Sequence, residues 1–468
     1  MLAPAPTTDG AETVEDLVRP GVAESFEVSD DGETYTFNLR DDARWSNGDP
    51  VTADDFVFAW KRVLTPDFSA NYAPLFFVIE GARDYKEGKT DQWDAVGIHA
   101  EDSRTLVVNL AERTPWFPEL VSFFPFFPVP RDVVEEDGDD WAHPNTMVTN
   151  GAYSLSDYKA RRHLALEANP HYWDRSNVGI DRVVLRIFSD RRETVHAFKS
   201  GEVDWVDNVR PNAVDEVDAY SYPLLGTYYF NVNMRDRAGA APLRDARVRR
   251  ALSLALDREE LLADATDTAF EPAHSMVPPY LLGYEPPSDV RYDPDKARRL
   301  LAEAGFDPEK KSLRLTLLYN TDPMHKRIAE RAQAMWRDEL GVRVELEDEE
   351  WVQYLERLEQ GDFQIARQGW IGDYHSPRTF LDLWSTENRD NNSGWSNRRY
   401  DALVEEARRT ADPDERAARY REAEEILLEE AVAIPVYHYS LYGLISGDFE
   451  GVEPHTRGIH LIKYISPR

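Results

Sequence analysis

Hydrophobic and polar residues alternate with the period of a β-strand at several places in the first half of the chain. The strands that this pattern predicts are 34–39, 105–110, 163–166 and 182–187. A helix is predicted over 56–63, and Thr52 with Asp55 has the spacing of an N-terminal cap for it. A second helix is predicted over 193–200, so the first half combines a β-rich part with isolated helices.

Turn residues and prolines limit the other segments of the first half. The segment 46–50 (SNGDP) predicts a tight turn, because Asn-Gly tolerates a positive φ. The run 123–128 (FFPFFP) contains two prolines, which exclude a regular helix or a central strand, so we expect it to be extended or looped. Residues 1–20 are rich in proline, alanine and acid and are expected to be irregular.

Helices and strands alternate after residue 227. Predicted helices and strands follow one another as strand 227–233, helix 248–255, helix 294–304, strand 313–318, helix 324–340, strand 342–346 and helix 400–431. Asp257 with Glu260 has the spacing of a cap for one more helix. This alternation is typical of an α/β lobe.

Length and composition favour a large globular protein. With 468 residues the chain suits two or three lobes, and 42% hydrophobic with 12% aromatic residues provide enough apolar surface for their cores. Lys and Arg number 54 against 87 Asp and Glu, so the net charge of −33 repels phosphate backbones and excludes a nucleic-acid-binding function. The acidic surface fits either a salt adaptation or a solubility device. Cysteine is absent, which excludes disulfides, thiolate metal sites and a cysteine nucleophile.

Catalytic motifs are scarce. Neither the His-Glu-x-x-His pattern nor the Gly-x-Ser-x-Gly pattern occurs. Gly88-Lys89-Thr90 resembles the end of a phosphate loop, but Arg83 stands where that loop needs its first glycine. The acidic run 135–140 does not have the spacing of a calcium loop. These residues alone leave two classes open, a binding protein and an enzyme.

Seven segments resemble, in order, the motifs of the oligopeptide- and dipeptide-binding proteins of ABC importers, which belong to the family 5 extracellular solute-binding proteins. The segments are 45–56 (WSNGDPVTADDF), 148–153 (VTNGAY), 169–174 (NPHYWD), 247–252 (RVRRAL) with 257–258 (DR) after it, 318–321 (LYNT), 369–374 (GWIGDY) and 434–437 (IPVY). The similarity extends from about Gly21 to the C-terminus. Chance does not produce so many matches in the same order.

The resemblance implies an α/β fold of the two-lobe periplasmic-binding-protein clamp, type II and of the large cluster C type, with an extra domain inserted in lobe I. Lobe I would comprise 1–20, 145–225 and 441–468, the inserted domain II would be 21–144, and lobe III would be 226–440. Family members begin with a signal sequence and a first strand and helix of lobe I, which this chain is expected to lack. That loss would leave the sheet of lobe I with an unpaired edge.

The resemblance also implies which residues bind the ligand. Asp373 matches the carboxylate that holds the α-ammonium group of a bound peptide, and charge-assisted hydrogen bonds suit that role. Arg367 and His325 match positions that meet the ligand's carboxylate end, and Trp351 and Trp370 match aromatics that sandwich its side chains. Further matched or neighbouring ligand-contact positions are Tyr72, Asn208, Tyr229 and Asn231.

Structural alternatives exist for most of these residues. Asp373 could be an aspartate of a turn, and His325 could be a histidine in water at a helix start. Trp351 and Trp370 could be buried core residues. Asn231 stands where some relatives have an acid.

The function implied is that of an extracytoplasmic solute-binding protein that captures short peptides and delivers them to a membrane-embedded ABC permease with its ATPase subunits. Such a protein is a monomer in the periplasm or at the outer face of the cytoplasmic membrane, catalyses no reaction and needs no cofactor or metal. One alternative is another solute within the same family: a nickel chelate, haem, an oligosaccharide or a cell-wall tripeptide. A peptide or glycan hydrolase is the other, and only the abundance of acids and aromatics supports it.

Overall fold

The structure of the protein is a computed structural model that describes residues 1–7, 11, 13–144, 146–207, 209, 219–235, 241–266, 270–288, 290–306 and 312–468. These residues form two compact units. The first unit contains the described residues up to Val209, Ala219 with Tyr220, and Gly443–Arg468, and the second contains those of Ser221–Tyr442. The division into lobe I, inserted domain II and lobe III stays a prediction.

The first unit is built mainly from short strands and a few helices. Its strands up to residue 206 are β1 Leu2–Pro4, β2 Val18–Pro20, β3 Ala23–Val28, β4 Thr34–Leu39, β5 Ile98–Asp102, β6 Thr105–Asn109, β7 Tyr153–Lys159, β8 His163–Ala168, β9 Arg182–Arg186 and β10 Trp205–Val206. Its helices are α1 Ala53–Leu64, α2 Ala82–Lys86, α3 Phe117–Leu120, α4 Arg131–Asp137 and α5 Arg191–Lys199. The strands predicted at 34–39, 105–110, 163–166 and 182–187 are therefore confirmed to within two residues.

An antiparallel sheet in the order β3-β4-β6-β5 forms one layer of this unit. Helix α1 begins with the predicted cap, because the main-chain N–H of Thr52 donates to Asp55 Oδ2 at 2.8 Å. Its apolar face buries Phe56 and Trp60 completely. The indole N–H of Trp60 donates to the carbonyl of Phe126 at 3.0 Å. Phe126 lies in a short 3₁₀ turn within the proline-containing run 123–128.

The expectation that residues 1–20 are irregular is wrong for part of this segment. Strand β1 pairs antiparallel with β2, with Leu2 opposite Pro20. Both Met1 and Leu2 are buried, so side-chain burial orders these residues despite a composition typical of loops. A separate antiparallel sheet contains β7, β8 and β9.

The second unit alternates helices and strands as predicted. Its strands are β11 Ala219–Val232, β12 Glu271–Pro272, β13 Arg314–Asn320, β14 Arg343–Glu349, β15 Ile365–Ile371 and β16 Ala433–Ile445. Strand β11 begins in the first unit, and β16 ends in it. The last two strands, β17 Phe449–Glu450 and β18 Ser466–Pro467, belong to the first unit. Its helices are α6 Ala246–Leu254, α7 Arg258–Ala265, α8 Pro294–Glu303, α9 Pro323–Leu340, α10 Trp351–Gln360, α11 Arg378–Leu381, α12 Arg398–Arg409 and α13 Pro413–Glu429. Asp257 caps α7 by accepting the N–H of Glu260 at 3.0 Å, as predicted.

The single helix expected over 400–431 is wrong, because the chain forms two helices there. Asp412 accepts the N–H of Glu415 at 2.9 Å and so begins a new helix, α13. Pro413 follows as its first residue, where a missing N–H costs nothing. The same proline cannot continue α12.

The sheet of the second unit has the strand order β16-β11-β15-β13-β14. Strand β13 is parallel to both β14 and β15, whereas β15 is antiparallel to β11. Apolar clusters cover both faces of this sheet: Tyr228, Phe230 and Trp336 belong to one, and Tyr229 and Trp384 belong to the other. Burial on both faces explains the long apolar runs in these strands.

Candidate functional site

Two neighbouring strands of the second unit carry four of the nine predicted ligand residues, Tyr229 and Asn231 on β11 and Arg367 and Trp370 on β15. In the register of β11 and β15, Phe230 is opposite Arg367 and Tyr229 is opposite Gln368. Residues directly opposite each other in an antiparallel pair point to the same face, and successive residues alternate. The side chain of Arg367 therefore lies on one face, and those of Tyr229 and Gln368 lie on the other.

Arg367 lies in a pocket of neutral side chains. Its Nη1 donates to Asn320 Oδ1 at 3.1 Å, its Nη2 donates to the Tyr439 hydroxyl at 3.3 Å, and its guanidinium carbon is 4.9 Å from the centre of the Tyr228 ring. Its buried Nε has no hydrogen-bond partner, and no carboxylate among the described residues pairs with it. A partly buried cation without an anion keeps an unfavourable desolvation cost, so Arg367 is placed to bind a negatively charged group of a ligand.

Electrostatics keep this cluster in one protonation state at neutral pH. Burial works to lower the pKa of Arg367, but the oxygens of Tyr439, Tyr228 and Tyr354 outweigh it and raise the pKa above its ordinary value. Burial raises the pKa of Tyr354 to about 12 and that of Tyr228 further. Arg367 is therefore a permanent cation, and the hydroxyl groups of Tyr228 and Tyr354 beside it are neutral.

His325 joins the same cluster. Its ring centre is 5.6 Å from that of Tyr228, and the residue is 8% exposed, which excludes the alternative of a histidine in water. It lies in the first turn of α9, where Asp322 accepts the N–H groups of Met324 and His325 at 2.7 and 3.3 Å. The structure thus brings Arg367 and His325 together around one tyrosine ring.

Beyond Ala366, one edge of β15 pairs with no other strand in the described part of the chain, and we call it the open edge. Strand β13 pairs with β15 only at Leu317–Ile365 and Leu318–Ala366, although β11 accompanies β15 to Ile371. The N–H of Gly372 donates to Leu225 of β11 at 2.7 Å, so even-numbered residues direct their main-chain groups to β11 and odd-numbered residues direct theirs to the other side. Gly369 and Ile371 are both exposed. Their N–H and C=O groups therefore line an edge at which an extended chain can pair.

Tyr439 packs so closely against β15 that a side chain at position 369 would clash with it. A Cβ added to Gly369 would lie 2.3 Å from the Tyr439 hydroxyl, and one added to Gly226 would lie 2.3 Å from Ile371 Cδ1. Glycines at these two positions let the Tyr439 ring pack onto the strands. That packing also fixes the hydroxyl that holds Arg367.

Asp373 and Trp370 lie at the other end of the open edge. The main-chain N–H of Asp373 and the indole N–H of Trp370 both donate to Thr379 Oγ1, at 3.2 and 3.4 Å. Asp373 is half-buried, and Trp370 packs against the core cluster that contains Leu225. At about 3.3 Å per residue, the edge from Arg367 to Asp373 is about 20 Å long when extended.

Tyr229 and Asn231 meet at a third side chain on the opposite face from Arg367. Gln368 Oε1 accepts the Tyr229 hydroxyl at 3.2 Å and the Asn231 amide at 2.9 Å. Asn231 is 2% exposed, yet its Oδ1 has no partner among the described residues. These two predicted ligand residues form a polar group separate from the Arg367 cluster.

The remaining predicted residues lie on neither β11 nor β15. Trp351 is 53% exposed and stacks on Tyr354 at 5.7 Å, so the alternative of a buried core residue is wrong for it. The Tyr354 hydroxyl donates to the carbonyl of Arg367. Tyr72 belongs to the first unit, where its ring contacts Phe123 and Phe124 edge-on at 5.5 and 5.2 Å. Asn208 lies outside the described residues.

Sequence reasoning missed the side chains that hold the predicted residues. These are Asn320, Tyr228, Gln368, Thr379 and Tyr439. Asn320 was within a recognised motif, and polar residues inside otherwise apolar strands were the available signal for Gln368 and Tyr439. Neither signal says which residues meet.

Neither a metal-binding cluster nor a helix suited to a membrane span is found among the described residues. No group of three or more His, Asp or Glu side chains is arranged there to hold a metal ion. Among the described helices, none combines the length and the apolar character that a membrane span needs.

Comparison with known proteins places this geometry in a family. The profile of "Bacterial extracellular solute-binding proteins, family 5 Middle" matches residues 18–392. The periplasmic oligopeptide-binding protein OppA of Salmonella typhimurium is 35% identical over 96% of this chain and 86% of its own. The Escherichia coli murein tripeptide binding protein MppA has a TM-score of 0.85 with 32% identity, covering 97% of this chain and 91% of its own.

A peptide complex is also similar. Haemophilus influenzae OppA in complex with the peptide RPPGFSPFR has a TM-score of 0.83 with 29% identity, over 100% of this chain and 92% of its own. The α/β fold class with the two-lobe plan is thereby confirmed. The relatives are described as binding proteins, not as enzymes. The chain belongs to family 5 of the bacterial extracellular solute-binding proteins.

Proposed function

We propose that the protein captures short peptides outside the cytoplasm and delivers them to an ABC permease. The relatives named above bind oligopeptides or a murein tripeptide, and the Salmonella relative is periplasmic. The observation that carries the proposal is the open edge of β15, with the cation of Arg367 at one end and the carboxylate of Asp373 at the other.

A peptide is the ligand that uses every part of this edge. Its main chain adds a strand beside Gly369 and Ile371, and such pairing does not depend on the peptide's side chains. Its carboxylate, or an acidic group near it, meets Arg367, whose fork binds a carboxylate in bidentate fashion. Its α-ammonium meets Asp373. A sugar would use neither charge.

Aromatic side chains next to the edge accept the peptide's side chains. Trp370 lies within the open stretch, and Trp351 is exposed beside Tyr354. Flat aromatic surfaces gain contact area with many kinds of side chain, which suits a protein that must take mixed peptides.

The wider setting belongs to the same proposal. The protein acts as a monomer in the periplasm or at the outer face of the cytoplasmic membrane, and the permease carries its own ATPase subunits. It performs no reaction and holds no cofactor. The remaining predicted ligand contacts, including His325, Tyr229, Asn231, Asn208 and Tyr72, belong to this proposal as well.

The first experiment is native mass spectrometry of gently purified protein, followed by release and sequencing of the bound molecules. We expect a mixture of short peptides. A single non-peptide mass would instead favour another solute of the family, such as a chelate or an oligosaccharide.

Titration calorimetry with a tripeptide then tests the two charges. Asp373→Asn is expected to weaken binding by about 1.5–3 kcal/mol, since a charge-assisted hydrogen bond is lost, and to leave the melting temperature unchanged. N-acetylation of the peptide should weaken binding to the native protein but add little in the variant. Asp414→Asn, at an exposed position in the first turn of α13, is the control. Equal affinity of Asp373→Asn and native protein removes Asp373 from the site.

A further inference from the structure

A cavity of about 320 Å³ lies within the second unit, between helices α6, α8 and α13 and the segment that precedes α8. None of its lining residues belongs to β11 or β15, so it is distinct from the open edge. Its lining residues are Arg250, Ser253, Leu254, Pro287, Val290, Lys296, Glu425, Leu428 and Glu429. The proposed peptide-binding function does not involve these residues.

Four of the nine residues that line the cavity are apolar. Leu254, Pro287, Val290 and Leu428 are all buried and contribute aliphatic surface. A cavity of about 150 Å³ with such a lining holds a benzene molecule. The present cavity is roughly twice that size, which gives room for a phenyl ring with a short polar chain attached.

Four charged side chains also line the cavity, and the two acidic ones already have cationic neighbours. Glu429 Oε1 lies 3.5 Å from Arg250 Nη1, and Glu425 Oε1 accepts Arg421 Nε at 3.3 Å. Arg250 and Glu429 therefore partly neutralise each other, and Arg421 partly neutralises Glu425, which leaves Lys296 as the charged lining residue to consider.

Lys296 has no partner for its ammonium group in the part of the chain that the structure describes. It lies half-buried at the third position of α8, where Asp293 caps the helix by accepting the main-chain N–H of Lys296 at 2.9 Å. Arg250 has only the 3.5 Å approach to Glu429, whereas its neighbour Arg249 donates to the carbonyls of Glu430 and Leu243 at 2.8 Å each. In a chain with a net charge of −33, the unpaired ammonium group of Lys296 at this cavity favours an anionic ligand.

We propose that this cavity is a second binding site, for small organic carboxylates whose apolar body is about the size of a phenyl ring. The carboxylate pairs with Lys296, and Arg250 is the other cation of the lining. The apolar body fills the space against Leu254, Val290 and Leu428. Because the site shares no residue with the open edge, occupation of the cavity and binding of peptide are independent in their contacts.

Titration calorimetry and ligand-observed NMR with 3-phenylpropionate test this proposal on the full chain. We expect saturable binding with one site per chain, and binding of the neutral 3-phenylpropionamide that is weaker by roughly tenfold or more. Lys296→Gln should weaken the carboxylate to the level of the amide. Lys326→Gln, at an exposed position of α9 with its ammonium 3.9 Å from Glu330, is the matched control and should bind as the native protein does.

Two further variants separate this site from the peptide site. Arg367→Met should bind 3-phenylpropionate normally, and a saturating tripeptide should not displace the carboxylate from native protein. The proposal is overturned if binding is not saturable up to the solubility of the ligand, if acid and amide bind equally, or if Lys296→Gln has native affinity. Loss of binding in Arg367→Met would place the anion at the open edge and overturn it as well. Failure of any of these leaves the peptide proposal untouched, because its readout is peptide affinity.

Discussion

Two ionisable side chains of the second unit, the buried Glu424 and the partly buried Arg367, differ in how many hydrogen-bond partners the described fold gives them. Glu424 is completely buried in α13 and accepts the N–H groups of Met276 and Val277 at 2.7 and 2.9 Å and the Tyr284 hydroxyl at 2.6 Å. Arg367 has one amide oxygen, one hydroxyl and one aromatic ring, and its Nε has no partner. The carboxylate is satisfied within the fold, and the guanidinium is not.

The difference distinguishes a structural charge from a functional one. A buried group with all its hydrogen bonds made holds the chain in place, here by fixing the segment 276–284 to α13. A buried cation surrounded by neutral partners keeps its attraction for an anion, because low dielectric strengthens that interaction. The acid in this pair should therefore control stability, and the base should control binding.

The largest effect is expected from Glu424→Ala. At pH 5 the change should lower the free energy of unfolding by about 3–5 kcal/mol, since two N–H groups and one hydroxyl lose their buried partner. Chemical denaturation measures this. The control is Glu425→Ala on the same helix, which is exposed and should change stability by less than about 1 kcal/mol. Equal effects of the two variants would contradict a structural role for Glu424.

The next effect is the pH dependence of that stabilisation. Burial raises the pKa of Glu424 from its ordinary 4.5 to about 7, so the folded state binds a proton that the unfolded state releases. The contribution of Glu424 is fully present below pH 4.5 and is lost as the pH rises through about 7, by about 3 kcal/mol in total. The hydrogen bonds from Tyr284, Val277 and Met276 oppose this rise in pKa, and Arg421 opposes it less strongly.

Glu424→Gln isolates this contribution from the other carboxylates of the protein. The amide imitates the protonated acid at every pH, so the free energy of unfolding of the native protein, relative to that of the variant, should fall between pH 4.5 and 7. Denaturation at a series of pH values measures the difference. Parallel curves would show that Glu424 does not take up a proton on folding.

The smallest effect on stability, with a clear effect on binding, is expected from Arg367→Met. Peptide affinity should fall by about 1.5–3 kcal/mol, and the free energy of unfolding should change by less than about 1 kcal/mol, because an apolar side chain replaces an incompletely paired buried charge. Calorimetry with a tripeptide and with its C-terminal amide measures the effect. The amide should lose less affinity than the free acid.

Arg258→Met provides the contrast for that prediction. Arg258 is 1% exposed and donates to the carbonyls of Pro435, Leu256 and Ser253, so it resembles Glu424 in having its partners within the fold. Its replacement should destabilise the protein without a direct effect on peptide affinity. The comparison fails if Arg367→Met destabilises as much as Arg258→Met does, or if it binds the tripeptide with native affinity.

Local sequence predicted most elements where pattern and cap agreed. The helix with its Thr52–Asp55 cap and the strands at 34–39 and 105–110 are examples, because their apolar periodicity belongs to a few consecutive residues. The errors came from competing local signals. Strand β1 was missed because proline-rich composition outweighed a short apolar pattern, and the break at Pro413 was missed because both flanking helices keep helical periodicity.

The candidate site could be predicted only in part. The resemblance named Arg367, His325 and Asp373, and the structure shows that the first two share the ring of Tyr228. Asn320 and Tyr439 could not be predicted as partners of Arg367, because they reach it from β13 and β16. The role of Lys296 was equally invisible, since an unpaired lysine in a sequence looks like any lysine on a surface.

The sequence by itself determined the family and the alternation of helix and strand after residue 227, and its net charge predicts that the protein does not bind nucleic acid. These depend on composition, on short-range periodicity and on motifs that are contiguous in the chain. Only the tertiary structure decided that β13 leaves the edge of β15 open, that no anion among the described residues pairs with Arg367, and that Met276, Val277 and Tyr284 hydrogen-bond to Glu424. Strand ends and buried partners are set by contacts between residues far apart in sequence, and the free energy of a buried charge depends on those contacts.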